Sequence, residues 1–377
     1  MRKSFKFRLF PNARQVELLT SQLQSCQRLY NAALEQRRDT WKSHKQSVSF
    51  AEQCRQVTDL AKEAEYKNIY SQVLRDVLKR LDKAFHGFFL RLRHEGEKAG
   101  YPRFRAFDRY DSITYPQAYN GSIRFRDGKI WFSKIGVIRI KKHREIEGKV
   151  KTVTIKREGK HWYVIFSCDE VPVKILSPCS KEIGIDVGLE HFATFSDGTI
   201  IENPHHLQQS EKRLTKTQQI LSSKKKGTSA RRKAKEIVSQ VHRKITNQRK
   251  DFLHKLSRKL INEHGLIAVE DLNVKGLLQK DSGFKRQTAG LHKSISDAAW
   301  AMFVMFLVAK AEEAGRRLVK VEPRGTSRTC SQCGHIITDM LLSQRTFNCP
   351  HCNFSSHRDF NAARNILNRA LGRSVVA

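Results

Sequence analysis

The stretch "CPHCNFSSHRDFNAARNI" (residues 349–366) joins a Cys-x2-Cys pair to a segment of helical character. Cys-x2-Cys is half of a common zinc-binding motif. Asp359 follows the pair by seven residues, and apolar residues then recur at helical spacing (Ala362, Ala363 and Ile366). This spacing predicts a helix that begins at Asp359. The stretch therefore predicts a metal-binding element directly before a helix that presents a carboxylate at its N-terminus.

A second cysteine pair completes the metal-binding motif. Cys330 and Cys333 precede Cys349 and Cys352, with fifteen residues between the two pairs. Together the pairs can supply four thiolates to one tetrahedral Zn²⁺, and four sulfur ligands leave no open position, so a structural zinc is predicted. The alternative is four free or disulfide-bonded thiols, which the paired spacing and a reducing cytosol disfavour. The remaining four cysteines are scattered and are predicted to be packing residues.

The charge of the chain indicates its class of partner. The 377 residues include 71 Lys and Arg against 37 Asp and Glu, which gives a formal net charge of +34. So large an excess repels itself unless a polyanion neutralises it, and this favours nucleic-acid binding over an ordinary enzyme with a basic surface. The length predicts two or three domains.

No targeting or membrane-spanning segment is expected. The first ten residues, "MRKSFKFRLF", alternate apolar and charged residues, which is typical of a strand and not of a signal peptide. The most apolar run, "AMFVMFLVA" (residues 301–309), is too short to span a membrane. The expected location is the cytoplasm.

Hydrophobic periodicity divides the chain into regions. A first strand ends at Pro11, a helical region follows, and turn dipeptides then separate short alternating runs that are typical of an antiparallel barrel or sheet. The first strand could join that sheet, so the helical region is predicted to be an insertion in a β domain. After this come a strand with Asp186, basic helices over about 206–263, a strand that ends in acid, an apolar helix and a last strand.

Three carboxylates stand out in a chain with few acids. Asp186 lies within a predicted strand, Glu270 at the end of another, and Asp359 at the start of a helix. Solvated surface acids are the commoner explanation for any one of them. As a set they predict a hard-cation site for Mg²⁺ or Mn²⁺, because clustered carboxylates repel one another and need cations. Two such ions can activate water and stabilise the leaving 3′ oxygen in phosphodiester hydrolysis. Asp271 should point away, because side chains alternate along a strand.

Three basic residues of the 206–263 region are predicted to bind nucleic acid. Arg243, Arg249 and Lys250 lie among His242 and Asn247 in a strongly basic helical stretch. The alternative is a solvated charged face. The sequence predicts that replacing all three with Ala would weaken nucleic-acid binding and leave folding intact.

The motifs resemble those of the TnpB (OrfB) proteins of bacterial insertion sequences, which are relatives of the type V CRISPR effectors. The resemblance extends over nearly the whole chain. In the C-terminal half it rests on "GIDVGL", "VEDLNVKGL", "PRGTSRTCSQCG" and "HRDFNAARNI". In the N-terminal half it rests on "RLFPNARQ", "CQRLYNAAL", "VLRDVLKRLDKAFHGFF" and "GYPRFRAFDRYDSITYP".

The resemblance implies an α+β multidomain fold, with a helical recognition domain inserted in a small β-barrel wedge domain. An RNase H-like (RuvC) α/β nuclease domain with a zinc-ribbon insertion follows. The implied boundaries are 1–11 (first wedge strand), 12–98 (recognition), 99–180 (wedge barrel), 181–325 (first part of RuvC), 326–354 (zinc insertion) and 355–377 (last RuvC helix and C-terminus).

The resemblance also implies an activity, and a location in the bacterial cytoplasm in association with the nucleoid. A guide RNA from the transposon end would direct cleavage of double-stranded DNA beside a short transposon-associated motif, with a single protein chain bound to its RNA. Asp186, Glu270 and Asp359 correspond to the catalytic acids and the four paired cysteines to the zinc ligands. Gln72, in the recognition region, is a candidate reader of the DNA motif, since an amide can bond an adenine edge.

Two other functions stay open at this point. A relative without nuclease activity would bind guide RNA and DNA and act as a repressor; it would be expected to lose at least one of the three acids, all of which are present. A transposase that joins DNA strands is the second alternative. The chain shows no tyrosine-nucleophile signature, but an acid triad is compatible with strand transfer.

Overall fold

The computed structural model describes residues 1–94, 99–117, 121–126, 128–278, 287–341 and 344–373. Two compact units divide the chain, Met1–Pro172 and Val173–Ala377. The helices are α1 Ala13–His44, α2 Phe50–Leu60, α3 Ser71–Arg93, α4 His206–Ser223, α5 Ser229–Glu263, α6 Val274–Leu277, α7 Gln287–Ala298, α8 Trp300–Ala314 and α9 Arg358–Ala370. The strands of the first unit are β1 Lys3–Phe10, β2 Ser112–Tyr115, β3 Ile123–Arg126, β4 Lys129–Phe132, β5 Gly136–Lys141, β6 Lys149–Glu158 and β7 His161–Asp169. Those of the second unit are β8 Glu182–Val187, β9 His191–Phe195, β10 Ile200–Glu202, β11 Leu266–Glu270, β12 Arg317–Val321, β13 Thr346–Asn348 and β14 Ser355–His357.

The first unit is built on a seven-stranded antiparallel sheet in the order β2-β6-β7-β1-β5-β4-β3. β1 lies in the middle of this sheet and pairs with both β7 and β5, so the first strand joins the sheet as its alternating pattern suggests. Helices α1 to α3 lie between β1 and β2 in sequence. Their apolar faces share one core with the sheet, in which Leu23, Leu74 and Leu81 are fully buried.

The predicted barrel is a curled sheet in the structure. Among the described residues, β2 and β3 are edge strands and do not pair with each other. The sheet curls enough for side chains of distant strands to meet inside it. The ring of Tyr115 on β2 contacts Phe132 on β4 at 5.4 Å between centroids, and Phe125 on β3 contacts Phe166 on β7 at 6.0 Å. Aromatic contacts across the concave face therefore replace closure by hydrogen bonds.

The second unit is built on a five-stranded sheet in the order β10-β9-β8-β11-β12. β8, β11 and β12 are parallel to one another, and β9 and β10 extend the sheet as antiparallel strands. Alternation along β8 sends Ile183 and Ile185 into a core that contains residues of α5 and α8, among them Leu253 and Phe303. The intervening positions of β8 face α9.

Close packing between β8 and α9 depends on a glycine. A Cβ atom at Gly184 would lie 2.2 Å from the carbonyl oxygen of Ala363 on α9. Ala363 and Ile366 are fully buried at this contact. Gly184 therefore lets the backbone of α9 approach the strand that carries Asp186, two residues further on.

The apolar segment after α6 forms two helices where the sequence predicts one. Ala299 has a φ of 57° and separates α7 from α8. Among the described residues, one segment is long and apolar enough to cross a membrane, judged by length and composition alone. This segment is Gly290–Ala314. In the second unit one face of α8, including Phe303 and Leu307, is buried in the core beneath the sheet.

Candidate functional site

Asp186 and Glu270 lie side by side at one end of the second sheet. In the parallel pairing of β8 with β11, Val269 is opposite Ile185. The next position in this register brings Asp186 beside Glu270, and alternation sends both side chains to the sheet face that α9 covers. Both residues are half-buried.

Asp359 reaches the same end of the sheet from α9. The helix begins at Arg358, and the Nδ1 atom of His357 accepts a hydrogen bond from the backbone N–H of Asp359 at 3.4 Å. The Asp359 side chain is 19% exposed, and one of its oxygens lies 4.0 Å from His357 Nδ1. Because α9 packs on β8 and β11, its first turn holds Asp359 close to Asp186.

The electrostatics of the site follow from this proximity. The pKa of Asp186 is raised well above its usual value by burial and by the charges of Glu270 and Asp359, and Arg358 opposes the shift. Burial also raises the pKa of Glu270, against the effects of a hydrogen bond from Thr326 and of the Arg369 guanidinium. The two strand acids thus lie where a bound cation would relieve an electrostatic cost.

The three acids fit a hard divalent cation by their chemistry, because carboxylate oxygens are the ligands that Mg²⁺ and Mn²⁺ prefer. They are not as tightly gathered as the paired cysteines. Among the described residues, the four cysteines are the group of possible metal ligands whose ligand atoms all lie within 4.8 Å of one another. Two ions about 4 Å apart accommodate a wider set of ligands than one ion does.

Asp271 lies off this site, as strand alternation predicts. It follows the last residue of β11, and its carboxylate pairs with Lys320 at 3.1 Å. Asp271 lines a groove of about 280 Å³ between the sheet and α8, together with Ile185, Val269 and Met305, and Glu270 borders the same groove. Asp271 is therefore a conservative control position for experiments on Glu270.

The structure brings the four paired cysteines together. Cys330 Sγ lies 3.6 Å from Cys352 Sγ, and Cys333 Sγ lies 3.6 Å from Cys349 Sγ. A tetrahedron with Zn–S bonds of about 2.3 Å has edges of about 3.8 Å, so these separations fit one zinc ion. They are far longer than a disulfide bond of about 2 Å. The donor set and its geometry both fit a structural Zn²⁺.

The backbone forms the same hydrogen-bonded turn at each cysteine pair, and this turn suits zinc binding. The residues that follow Cys333 and Cys352, Gly334 and Asn353, have left-handed φ values of 77° and 57°. Their N–H groups donate to the carbonyls of Cys330 and Cys349, each at 3.0 Å. Burial opposes ionisation of Cys349, but the N–H groups of Cys352 and His351 outweigh it and lower the pKa of this thiol to about 7. Burial raises the pKa of Cys330 in the same cluster. Thiolate is the form that binds zinc.

A buried polar network links the cysteine pairs to α9. Asn361 accepts a hydrogen bond from the N–H of Ser331 and donates to the carbonyl of Thr329, at 2.9 and 2.7 Å. Asn365 donates to the carbonyls of Thr326 and Thr329 at 2.9 and 2.6 Å. Sequence reasoning missed this network. Two asparagines four residues apart on the apolar face of α9 were the available signal, since buried amides need partners.

The basic residues predicted to bind nucleic acid differ in their environments. Lys250 is exposed on α5 and Arg243 is half-buried there. Arg249 instead pairs with Asp297 at 2.5 Å, and the two side chains are 18% and 11% exposed. Asp297 also accepts a hydrogen bond from the N–H of Leu207 in the first turn of α4. The ion pair argues against the expectation that Arg249 can be replaced without effect on folding, because its guanidinium binds Asp297, which joins α5 to α7 and α4.

Gln72 lies near the start of α3 in the first unit. It is half-buried and lines a groove of about 330 Å³ with Arg75, Lys79 and Gln117. The groove thus combines two amides with two long cations and the carboxylate of Asp76. This combination suits a nucleic-acid edge flanked by phosphate, and it leaves the candidacy of Gln72 as a prediction.

Comparison with known proteins gives matches along the chain. Family models described as "Probable transposase", "Cas12f1-like, TNB domain" and "Helix-turn-helix domain" match residues 168–281, 300–366 and 1–46. Within the last of these ranges the structure has one strand and one helix, β1 and α1. The cysteine pairs and Asp359 all lie within the second range.

The chain is also similar to curated proteins over its full length. It is 31% identical to a Streptomyces pristinaespiralis protein named "Putative RNA-guided DNA endonuclease", with 100% of this chain and 91% of that protein covered. It is 29% identical to "Putative RNA-guided DNA endonuclease InsQ" of Escherichia coli K12, with 100% and 93% covered.

Among solved structures, a Cas12f1–sgRNA–target DNA complex has a protein chain that matches with a TM-score of 0.58 at 15% identity, covering 98% of this chain and 99% of that one. At this identity the likeness concerns the fold, which is α+β and multidomain as the sequence predicted. The full-length similarity to the Streptomyces protein, together with the family matches, shows that the chain belongs to the TnpB (OrfB) family.

Proposed function

We propose that this protein is an RNA-guided endonuclease that cleaves double-stranded DNA next to a short transposon-associated motif. The observation that carries the proposal is the meeting of Asp186, Glu270 and Asp359 at one end of the second sheet, on three separate elements. The RNA guide and the DNA target enter the proposal from the names of the full-length relatives. The presence of all three acids favours a nuclease over a repressor.

In this proposal the three acids hold Mg²⁺ or Mn²⁺, which supplies charge stabilisation for phosphodiester hydrolysis when bound. Asp186 and Glu270 are fixed by the strand register, and Asp359 by the first turn of α9. Burial and the two neighbouring acids raise the pKa of Asp186, and Arg358 opposes this shift. The protein thereby offers carboxylates that are already desolvated and oriented before nucleic acid arrives.

Guide RNA and DNA are proposed to bind through Lys and Arg side chains. The excess of 34 positive charges gives a sequence-independent attraction to phosphate, which releases counterions and weakens with salt. Base pairing with the guide would supply the sequence specificity, as in other RNA-guided nucleases. One protein chain per RNA is part of the proposal.

The first test is to purify the protein with its bound RNA and to sequence that RNA. We expect a defined RNA that comes from the end of the transposon. The complex is then given a plasmid library with a matched target beside randomised bases, in Mg²⁺. Cleavage confined to targets beside one short motif supports the proposal. Joining of DNA ends in place of hydrolysis would support the strand-transfer alternative.

The double substitution Arg243→Ala and Lys250→Ala is expected to weaken RNA binding, and the melting temperature of the variant is measured alongside. Each lost phosphate contact lowers the salt dependence of log K by about one, so the slope should fall by about two. Filter binding between about 50 and 300 mM salt measures the slope.

Two control substitutions distinguish the loss of phosphate contacts from the loss of any lysine and from a loss of stability. Lys255→Ala removes a cation that already pairs with Asp251 at 2.7 Å, so its slope should be nearly unchanged. Arg249→Ala leaves Asp297 buried without its cation, and it should destabilise the protein by roughly 3 kcal/mol. A double variant that binds RNA with the wild-type slope would show that this face of α5 is only solvated.

Gln72→Ala is expected to change which bases are accepted in the DNA motif. Loss of one bidentate amide contact should reduce discrimination at one base position by about tenfold, because such a contact is worth about 1–3 kcal/mol. The library cleavage assay measures the preference at every position. Gln56→Ala, an exposed glutamine on α2 outside the groove, is the control. An unchanged motif in Gln72→Ala would remove this residue from the readers.

A further inference from the structure

A six-residue segment, Thr326–Ser331, follows β12 and runs into the first cysteine pair. We name it the strap. Three of its backbone groups are bound by α9 through Asn361 and Asn365, which are 0% and 3% exposed. Cys330 is itself a member of the strap. The strap is therefore joined at one end to the cysteine cluster and held along its length by the helix that carries Asp359.

The first residue of the strap contacts the acid site. The hydroxyl of Thr326 donates a hydrogen bond to Oε1 of Glu270 at 2.6 Å, which is shorter than its distance of 3.1 Å to the alternative acceptor, the carbonyl of Pro323. Thr326 is 4% exposed, so water does not readily replace this donor. The carbonyl of the same residue accepts the hydrogen bond from Asn365. One residue thus connects Glu270 on β11 with the helix that presents Asp359.

We infer that Thr326 is a positioning residue for Glu270 and that the strap transmits the geometry of the cysteine cluster to the acid site. The inference rests on the proposed function, since it concerns the same acids. A side chain at the end of a strand has several rotamers, and a short charge-assisted hydrogen bond selects one of them. With Thr326 held by Asn365, the chosen carboxylate position is tied to that of α9.

The contact differs from ordinary packing because it depends on a hydroxyl. Thr326→Ser keeps the hydroxyl and loses a methyl group. Thr326→Val keeps the shape and loses the hydroxyl, and Thr326→Ala loses both. If the residue positions Glu270, the Ser variant should resemble wild type and the Val and Ala variants should resemble each other. A packing role predicts instead that Val is mild and that Ser is impaired.

The test measures metal binding in the full chain with its zinc and RNA, without relying on DNA cleavage. Fe²⁺ with ascorbate and peroxide cuts a protein backbone next to the site where the iron binds. In wild type we expect fragments that end near residues 186, 270 and 359 and that disappear in Asp186→Ala. Thr326→Val and Thr326→Ala should need about tenfold more Fe²⁺ for half-maximal cutting, as for loss of other outer contacts to metal ligands. Thr326→Ser should stay within about twofold of wild type.

Each outcome has a definite meaning. Zinc content and melting temperature are measured alongside, so that a variant which fails to fold is recognised and the other hydroxyl-free variant decides. If a folded hydroxyl-free variant cuts at the wild-type Fe²⁺ concentration, or if Thr326→Ser is as impaired as Thr326→Val, the inference is overturned. If wild type gives no Asp186-dependent fragments, the proposed acid site fails instead, and that result is distinguishable from the first two.

Discussion

Replacing Asp186 with Ala is expected to abolish DNA cleavage, by about a thousandfold or more, and to leave RNA and DNA binding close to wild type. The loss should be this large because the charges of both other acids act on Asp186, which makes it the central member of the set. Removing one ligand from a shared cation site disables the whole set, and the effects of the three single substitutions should not add. Binding should persist because it depends on Lys and Arg elsewhere.

The assay is Mg²⁺-dependent cleavage of a motif-bearing duplex by the protein with its matched RNA, alongside a gel-shift measurement on the same samples. Asp271→Asn is the matched control. Its carboxylate pairs with Lys320 on the other side of the strand, so cleavage should stay within a few-fold of wild type. Equal cutting by wild type and Asp186→Ala would contradict the nuclease assignment.

The same site has a consequence for stability. The folded-state pKa of Asp186 is raised by burial and by its two acidic neighbours. An acid with a raised folded-state pKa binds protons more tightly when folded, so stability falls as the pH rises from the unfolded-state pKa of about 4 through the folded-state value. Without added divalent ions, Asp186→Asn should therefore melt at a higher temperature than wild type at pH 7.5. The difference should shrink as the pH is lowered towards 4.

Much of the second unit could be predicted from its sequence because its signals are local. Alternation along "IGIDV" sets which side chains of β8 face α5 and α8, and it places Asp186 on the opposite face. The cysteine spacing likewise predicts one cluster, since four thiolates at these intervals have one common use. The break at Ala299 was missed because alanine favours helix, and only packing can hold it at a φ of 57°.

Contacts between distant residues could not be predicted in the same way. Arg249 lies in a run of basic residues and looks solvated by composition, but Asp297 pairs with it from 48 residues away. The bond between Thr326 and Glu270 joins residues 56 positions apart. A single sequence carries no record of such pairs, because neither partner is unusual in its own neighbourhood. The residues that position the acids are thus harder to identify than the acids themselves.

Removal of the metal bound by the cysteine cluster is expected to be the second large effect. Purified protein should contain about one Zn²⁺ per chain, and Cys330→Ser should lower that content sharply, since serine is a poor zinc ligand. Zinc binding in such sites supplies about 10 kcal/mol or more of folding free energy, because the site does not exist in the unfolded chain. Metal analysis gives the zinc content, and limited proteolysis reports opening of residues 326–357.

Loss of zinc should lower DNA cleavage because it displaces an acid of the proposed active site. Zinc itself is not expected to take part in the reaction. Four sulfur ligands leave zinc no open coordination site, so it cannot activate water itself. Cys330, however, lies between Thr329 and Ser331, whose backbone groups are bound by Asn361 on α9. When the cysteine cluster opens, the start of α9 loses these anchors, and Asp359 in its first turn moves relative to Asp186. Cleavage by Cys330→Ser should therefore fall by at least about tenfold, as for other lost supports of a metal site. Cys179→Ser, a scattered thiol whose hydrogen bond to the Glu263 carbonyl a serine can keep, should cut like wild type. Zinc-free Cys330→Ser that stays resistant to protease and cuts at the wild-type rate would show that the cluster only closes a loop, with no part in placing Asp359.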